Sequence, residues 1–240
     1  MRLPRFYYSE LKIGSVLINE KKNIHHLIKV LRSKTGDQIE LFDGKLSTGL
    51  GEIKEISKDS IKVDITEIFN QHQGYTHNYD LVVPVLKKDS LFLVIHQSVE
   101  IGINNIFLYR PDRIDQSMLK KDISKIMSKL EDIVIAACAQ SGNNKLSKIQ
   151  YSKSLDKALK DCKYPRVIFD NQTENSICNM KGGIYTNGVT LVIGCESGFS
   201  MNERSLFVKD EIFKLRTNIL RAETAPIVAL TTLKTKLEDI

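Results

Sequence analysis

The sequence predicts an α/β protein in two parts: a small, mostly β N-terminal part, and a larger C-terminal part built on a parallel sheet flanked by helices. Three observations carry this. Residues 38–65 contain short runs of partly alternating apolar residues separated by Asp43-Gly44 and Lys58-Asp59 turn signals. Beyond residue 78 the pattern changes to apolar strands that alternate with helical stretches. Between them runs a polar segment, Asn70 to Asn78, that contains Gly74, has no sustained apolar period and reads as a linker.

In chain order, Ile24, Leu27, Ile28 and Leu31 stand at helical spacing and predict one helix over Asn23 to Arg32. The runs Gln38 to Phe42, Gly51 to Ile56 and Ser60 to Ile65 predict strands of a small β-barrel or sandwich. Leu81 to Val85 opens the second part as a strand. A helical period through Leu91, Val94, Ile95, Ser98 and Val99 then leads to Gly102, a helix stop, and to the strand Ile106 to Tyr109. A long helix over Met118 to Ala139 carries Ile123, Ile126, Met127, Leu130, Ile133 and Val134 on its apolar face and lysines on the other. Further strands are expected at Arg166 to Asp170, Val189 to Gly194 and Ile212 to Leu215, with a final helix over Ala222 to Leu237. There is no internal repeat.

The 240 residues hold 35 Lys+Arg against 29 Asp+Glu, a net charge of +6. Nearly all of that excess lies between Gln116 and Lys163, where ten lysines face five acidic residues. A cationic face of this kind attracts polyanions, although a solvated helix face explains it equally well on charge alone. The four cysteines form no CxxC pair and have no CxxH nearby, so a bound metal is not expected. The longest apolar run, Ile133 to Ala139, is far short of a membrane span, and the N-terminal residues show no secretion-signal core. A soluble, cytoplasmic protein is the expectation.

Two segments carry chemistry. Val189 to Glu203 is an apolar strand that ends in a glycine-bearing loop, Gly194 to Gly198, and starts a helix, the arrangement at which open α/β sheets bind ligands. Ser200 and Glu203 have capping-box spacing. There is neither GxxxxGK[ST] nor GxGxxG, so phosphate cradling and a nucleotide-dependent metabolic enzyme are not supported. Leu215 to Ala225 likewise follows an apolar stretch and enters a helix, with Arg221 and Glu223 at its mouth. Capping by Glu223 or Thr224 accounts for Glu223; Arg221 has no such structural explanation.

Ile193-Gly-Cys-Glu-Ser-Gly-Phe-Ser200 followed by Ile219-Leu-Arg-Ala-Glu-Thr-Ala225 resembles the paired C-terminal signature of the RsmE-type ribosomal RNA uridine-N3 methyltransferases of the SPOUT superfamily. Leu3-Pro-Arg-Phe6, His25-His26, Val30-Leu-Arg32, Gly36-Asp37, Phe42-Asp-Gly44, Glu100-Ile-Gly102 and Gln140-Ser141 extend the resemblance over essentially the whole chain. The resemblance implies a PUA-like β-barrel over residues 1–72 that helps hold RNA, and a SPOUT α/β methyltransferase domain over 73–240 tied in a deep trefoil knot. It also implies a homodimer, S-adenosylmethionine bound in a bent form, and 16S ribosomal RNA of the small subunit as methyl acceptor. By the same resemblance, Arg221, Glu223 and Gln140 are candidate catalytic residues. Ile193, Gly194, Glu196, Gly198, Leu215, Ile219 and Leu220 are candidate cofactor-binding residues, and Arg5 and Arg32 candidate RNA contacts.

The chain departs from the family at Cys195 in place of Pro, Ser197 and Arg216 in place of Gly, and Asn218 in place of Arg; Asn143 and Ser147 stand where Arg and Pro are usual. Ser197 crowds the cofactor if its position requires a positive φ, and Cys195 is expected as a small buried hydrophobe, with a reactive thiol as the less common alternative. A non-catalytic ribosomal-RNA-binding or assembly protein that retains the fold is the alternative.

Overall fold

The computed structural model describes residues 3–70, 76–113, 123–181, 183 and 185–240. Two compact units emerge, one of Met1–Gln73 together with Cys138–Leu146, the other of Gly74–Ala137 together with Ser147–Ile240.

The first unit is a five-stranded sheet of β1 (Arg5–Tyr7), β2 (Gly14–Ile18), β3 (Gln38–Phe42), β4 (Ser47–Ile56) and β5 (Ile61–Asn70), in the order β1-β3-β4-β5-β2. β1 runs parallel to β3 and the other pairs are antiparallel. The alternation dictates the core: Ile39, Leu41, Ile53, Ile61, Val63 and Ile65 share one face and pack with Val16, Ile18 and Leu27. Register shifts at Leu50/Gly51 and Ile53/Glu55 bend β4. Gly51 permits the closest approach there, since a Cβ would lie 2.6 Å from Val63. The expected helix forms as α1 (Lys21–His25) and continues through a wider π-type turn over His26–Val30. β2 escaped the sequence reading because its outward face carries apolar Leu17, which masks the alternation.

Arg5 requires a correction. Its side chain is only 2% exposed and its Nε pairs with Glu40 at 2.9 Å, while Nη1 donates to the Cys138 carbonyl and Nη2 to Asn144 Oδ1. The guanidinium also lies 5.0 Å from the centre of the Phe42 ring. A cation so enclosed does not reach an RNA phosphate; Arg5 is an internal anchor that secures Cys138–Leu146 within this unit. The bonds Leu46 N to Asn144 O and Leu146 N to Gly44 O, both 3.1 Å, complete the attachment. Arg32, by contrast, is exposed and holds a left-handed φ of 54°.

The second unit contains β6 (Asn78–Pro84), α2 (Lys88–Ile101), β7 (Asn105–Tyr109), α3 (Ile123–Ser141), β8 (Lys148–Ser152), α4 (Leu155–Lys160), β9 (Arg166–Phe169), β10 (Gly188–Ile193), α5 (Met201–Arg204), β11 (Glu211–Phe213) and α6 (Thr224–Lys236), with the last turn of α3 belonging to the first unit. The six strands form one sheet, β11-β9-β10-β6-β7-β8, in which every neighbouring pair is parallel. Helices on a parallel sheet bury it on both faces, so Leu81–Val83, Ile106, Val167–Ile168, Val189 and Leu191–Val192 are buried and apolar without alternation. α2 stops at Gly102 with φ 96°, as its spacing predicts. β8 was not foreseen: it is a polar edge strand with little apolar signal.

Only Ile123–Ser141 of the helix expected from Met118 is described; Met118 to Asp122 lie outside the described residues, as do residues 71–75 of the expected linker. Among the described residues no helix is long and apolar enough to cross a membrane. From β6 the chain adds β7 and β8 on one side, then crosses to the other for β9 and returns to place β10 between β9 and β6. Such a reversal of strand order opens a crevice at the strands' carboxyl ends.

Candidate active site

A cavity of about 290 Å³ lies beyond the carboxyl ends of β9, β10 and β11, on the β10 side of that reversal. Its walls are the residues after Phe169, the loop from Ile193 to Phe199, and the stretch from Leu215 to Ala222. All seven residues predicted to bind a cofactor line it: Ile193, Gly194, Glu196 and Gly198 from the first loop, and Leu215, Ile219 and Leu220 from the second.

Local chemistry explains the loop. Gly198 N–H donates to the Cys195 carbonyl at 2.8 Å and closes a tight turn, which Gly198 completes with φ 71°. A Cβ on Gly194 would lie 3.3 Å from the ring of buried Phe199, so the glycine lets that ring pack beneath the loop. The capping box forms as predicted: Ser200 Oγ accepts from Glu203 N at 3.0 Å and Glu203 Oε2 accepts from Ser200 N at 2.8 Å. Arg204 then forks onto Asp170, Nε to Oδ2 at 2.8 Å and Nη2 to Oδ1 at 3.2 Å, joining this wall to the end of β9.

Two expectations about the loop are corrected. Ser197 is not in the left-handed region, which is taken by Gly198 instead, and its exposed side chain does not crowd the cavity through backbone strain. Cys195 is a half-buried wall residue, not a core hydrophobe, and its thiol donates to the Gly198 carbonyl at 3.2 Å and lies 3.2 Å from Ser197 Oγ. Beneath the loop, the Tyr109 hydroxyl donates to the Ile193 carbonyl at 3.1 Å. Burial first, then Glu203, Cys195 and Asp112, raise the Tyr109 pKa well above the usual phenol value and keep it a neutral donor.

The catalytic candidates fall in two places. Arg221 and Glu223 stand beside the second loop with Nη1 and Oε1 3.8 Å apart; Arg221 is 85% exposed and Glu223 19%. Glu223 occupies the N-cap position of α6 but its side chain makes no cap bond, so the capping expected of it is absent and its carboxylate faces Arg221 instead. Gln140, exposed at the end of α3, belongs to the segment grouped with the first unit and does not line the cavity. Sequence reasoning overlooked Phe169–Gln172, Arg204, Asp112 and Arg113; the polar turn directly after the apolar run Val167 to Phe169 is the available signal for the first of these.

An RNA methyltransferase domain family matches residues 75–234, and an RNA methyltransferase PUA domain family matches residues 18–66. The chain is 30% identical over 249 residues to the ribosomal RNA small subunit methyltransferase E of Buchnera aphidicola subsp. Schizaphis graminum, with 100% of this chain and 98% of that protein covered. It is 27% identical to the protein of the same name from Rickettsia conorii, with 93% of each covered. Among solved structures, a methyltransferase from Legionella pneumophila in complex with SAM matches with a TM-score of 0.86 at 25% identity over 98% of both chains.

Proposed function

The chain belongs to the RNA methyltransferase family, and we propose that it transfers a methyl group from S-adenosylmethionine to N3 of one uridine in the 16S ribosomal RNA of the small subunit. The observation that carries this is the convergence of two glycine- or apolar-bearing loops, 193–199 and 215–222, on one cavity at the carboxyl ends of neighbouring parallel strands.

The lining fits the cofactor. Ile193, Leu215, Leu220 and Phe199 give an apolar surface for a flat purine, and the surrounding loop backbone offers amide and carbonyl groups for its edges. The carboxylate of Glu196 at the rim is opposite in sign to a sulfonium and an ammonium group. Bound there, S-adenosylmethionine supplies an electrophilic methyl group.

Uracil N3 is a weak acid, so the protein must stabilise the anion and hold it in line with the methyl group. Arg221, exposed and beside the cavity wall, is suited to the uracil carbonyl oxygens; Glu223 orients the guanidinium or takes the N3 proton. Gln140 offers an amide to the base, and Arg32 an exposed cation to the backbone. Residues 1–72 are the PUA-like part that holds RNA, in keeping with the match at 18–66, and residues 73–240 the methyltransferase part, apart from Cys138–Leu146, which pack with the first unit; the two loops are those of a trefoil knot. A homodimer, as the family resemblance implies, is part of this proposal.

Titration calorimetry with S-adenosylmethionine, followed by methyl transfer to small subunits lacking the modification, tests the proposal. Binding with transfer to one uridine N3 is expected. A folded protein that binds the subunit but not the cofactor would instead be a non-catalytic ribosomal-RNA-binding protein.

A further inference from the structure

The wall of the cavity is held from behind by Asp112 and Arg113, which follow β7. Asp112 Oδ2 accepts from Ser200 Oγ at 2.5 Å, and Asp112 N–H donates to Glu203 Oε1 at 3.2 Å. Arg113 Nη1 donates to the Ser197 carbonyl at 3.2 Å, and the Cys195 thiol reaches back to the Arg113 carbonyl at 3.7 Å. Thus Cys195, Ser197, Ser200 and Glu203 are each bound to one dipeptide, and Glu203, the hub, is only 3% exposed. β7 is separated from β10 by β6, so neither sheet register nor helix packing requires these contacts.

Every bond in the set ends on the segment that lines the cavity or caps the helix behind it; Asp112 and Arg113 are themselves exposed, but the two Asp112 bonds close on the capping box of Ser200 and buried Glu203, where charge assistance fixes geometry. The Tyr109 hydroxyl, one turn of chain earlier, secures the Ile193 carbonyl in the same way. We infer that Asp112 and Arg113 are positioning residues for S-adenosylmethionine: they hold the 195–200 loop in its binding conformation and so set cofactor affinity, without lining the cavity themselves. The inference rests on the cofactor assignment proposed above.

Asp112→Ala removes the acceptor of Ser200, whereas Asp112→Asn keeps an oxygen there and is the rescue variant. Hydrogen exchange on the ligand-free proteins reads the loop directly. Asp112→Ala accelerates exchange at residues 196–200 by about tenfold and leaves residues 189–193 of β10 unchanged, while Asp112→Asn stays near wild type. Calorimetry with S-adenosylmethionine then shows binding weakened by about tenfold in Asp112→Ala and Arg113→Gln, with kcat for bound cofactor retained. Unchanged loop exchange, or wild-type affinity in Asp112→Ala, overturns the positioning role. Failure of the wild-type protein itself to bind S-adenosylmethionine overturns the cofactor assignment and, with it, this role.

Discussion

Arg221 and Glu223 differ in exposure, 85% against 19%, and that difference sorts their roles. An exposed ion pair at 3.8 Å contributes little to stability, so Arg221 is free to be used on a ligand. Arg221→Ala is therefore expected to lower methyl transfer to the small subunit about a hundredfold or more, the range seen when a charge-stabilising donor is lost. Its melting temperature and S-adenosylmethionine affinity should remain at wild-type values; a variant with full transfer would remove Arg221 from the mechanism. Ser197 makes the opposite case. Because the left-handed position of the loop is Gly198, Ser197→Gly relieves no strain, and calorimetry should find the cofactor affinity changed by less than about twofold. Sequence identified Ser197 as a departure from the family, but φ is a property of the turn and is not visible in residue identity.

At the scale of an element, the chain just after α6 is fastened by a polar cluster at the start of β6. Asp239 accepts from Thr76 N and Oγ1 at 2.9 Å, from His77 N at 3.1 Å and from the Tyr79 hydroxyl at 2.7 Å, and lies 2.9 Å from His77 Nδ1. Burial on its own raises the carboxyl pKa, yet this set of donors holds it well below the usual carboxylate range. The contribution is therefore present above about pH 4 and is lost as pH falls below that value. In Asp239→Asn the melting temperature should be lower near neutrality and fall less steeply on acidification. Lys234, buried with Nζ on the Ile101 carbonyl at 2.7 Å and 5.0 Å from the Tyr79 ring centre, has its pKa lowered by burial to about 8. Between there and the ordinary lysine value the unfolded chain binds more protons, so stability attributable to Lys234 rises with pH across that interval. Lys234→Met should lose this rise in thermal melts from pH 8 to 10. None of this was legible in the sequence: Asp239 is remote from Thr76 in the chain, whereas β10, α2 and the capping box announced themselves through local runs, a terminal glycine and a three-residue spacing. The cavity was legible for the same reason, since strand, glycine loop and helix start are contiguous; the Asp112 and Arg113 contacts were not, because they depend on where β7 lies in the sheet.

For the molecule as a whole the informative quantity is charge and where it sits. The excess of +6 is modest, but ten lysines fall between Gln116 and Lys163, and Lys125 and Lys129 stand four residues apart on α3, both exposed. A pair at that spacing shares one helix face and repels itself slightly, so it persists at a small cost in helix stability. If that face neutralises RNA phosphates, binding must release counterions, and the logarithm of affinity falls linearly with the logarithm of salt concentration. Each phosphate contact adds about 0.7 to 0.9 to the slope, depending on whether the strand is single or paired. Lys125→Gln together with Lys129→Gln should thus reduce the slope for small-subunit RNA by between about 1.4 and 1.8, weaken binding at low salt, and leave cofactor affinity unchanged. A slope equal to that of the wild-type protein would identify the lysines as a solvated helix face and move the electrostatic contact with RNA elsewhere, with exposed Arg32 as the first alternative.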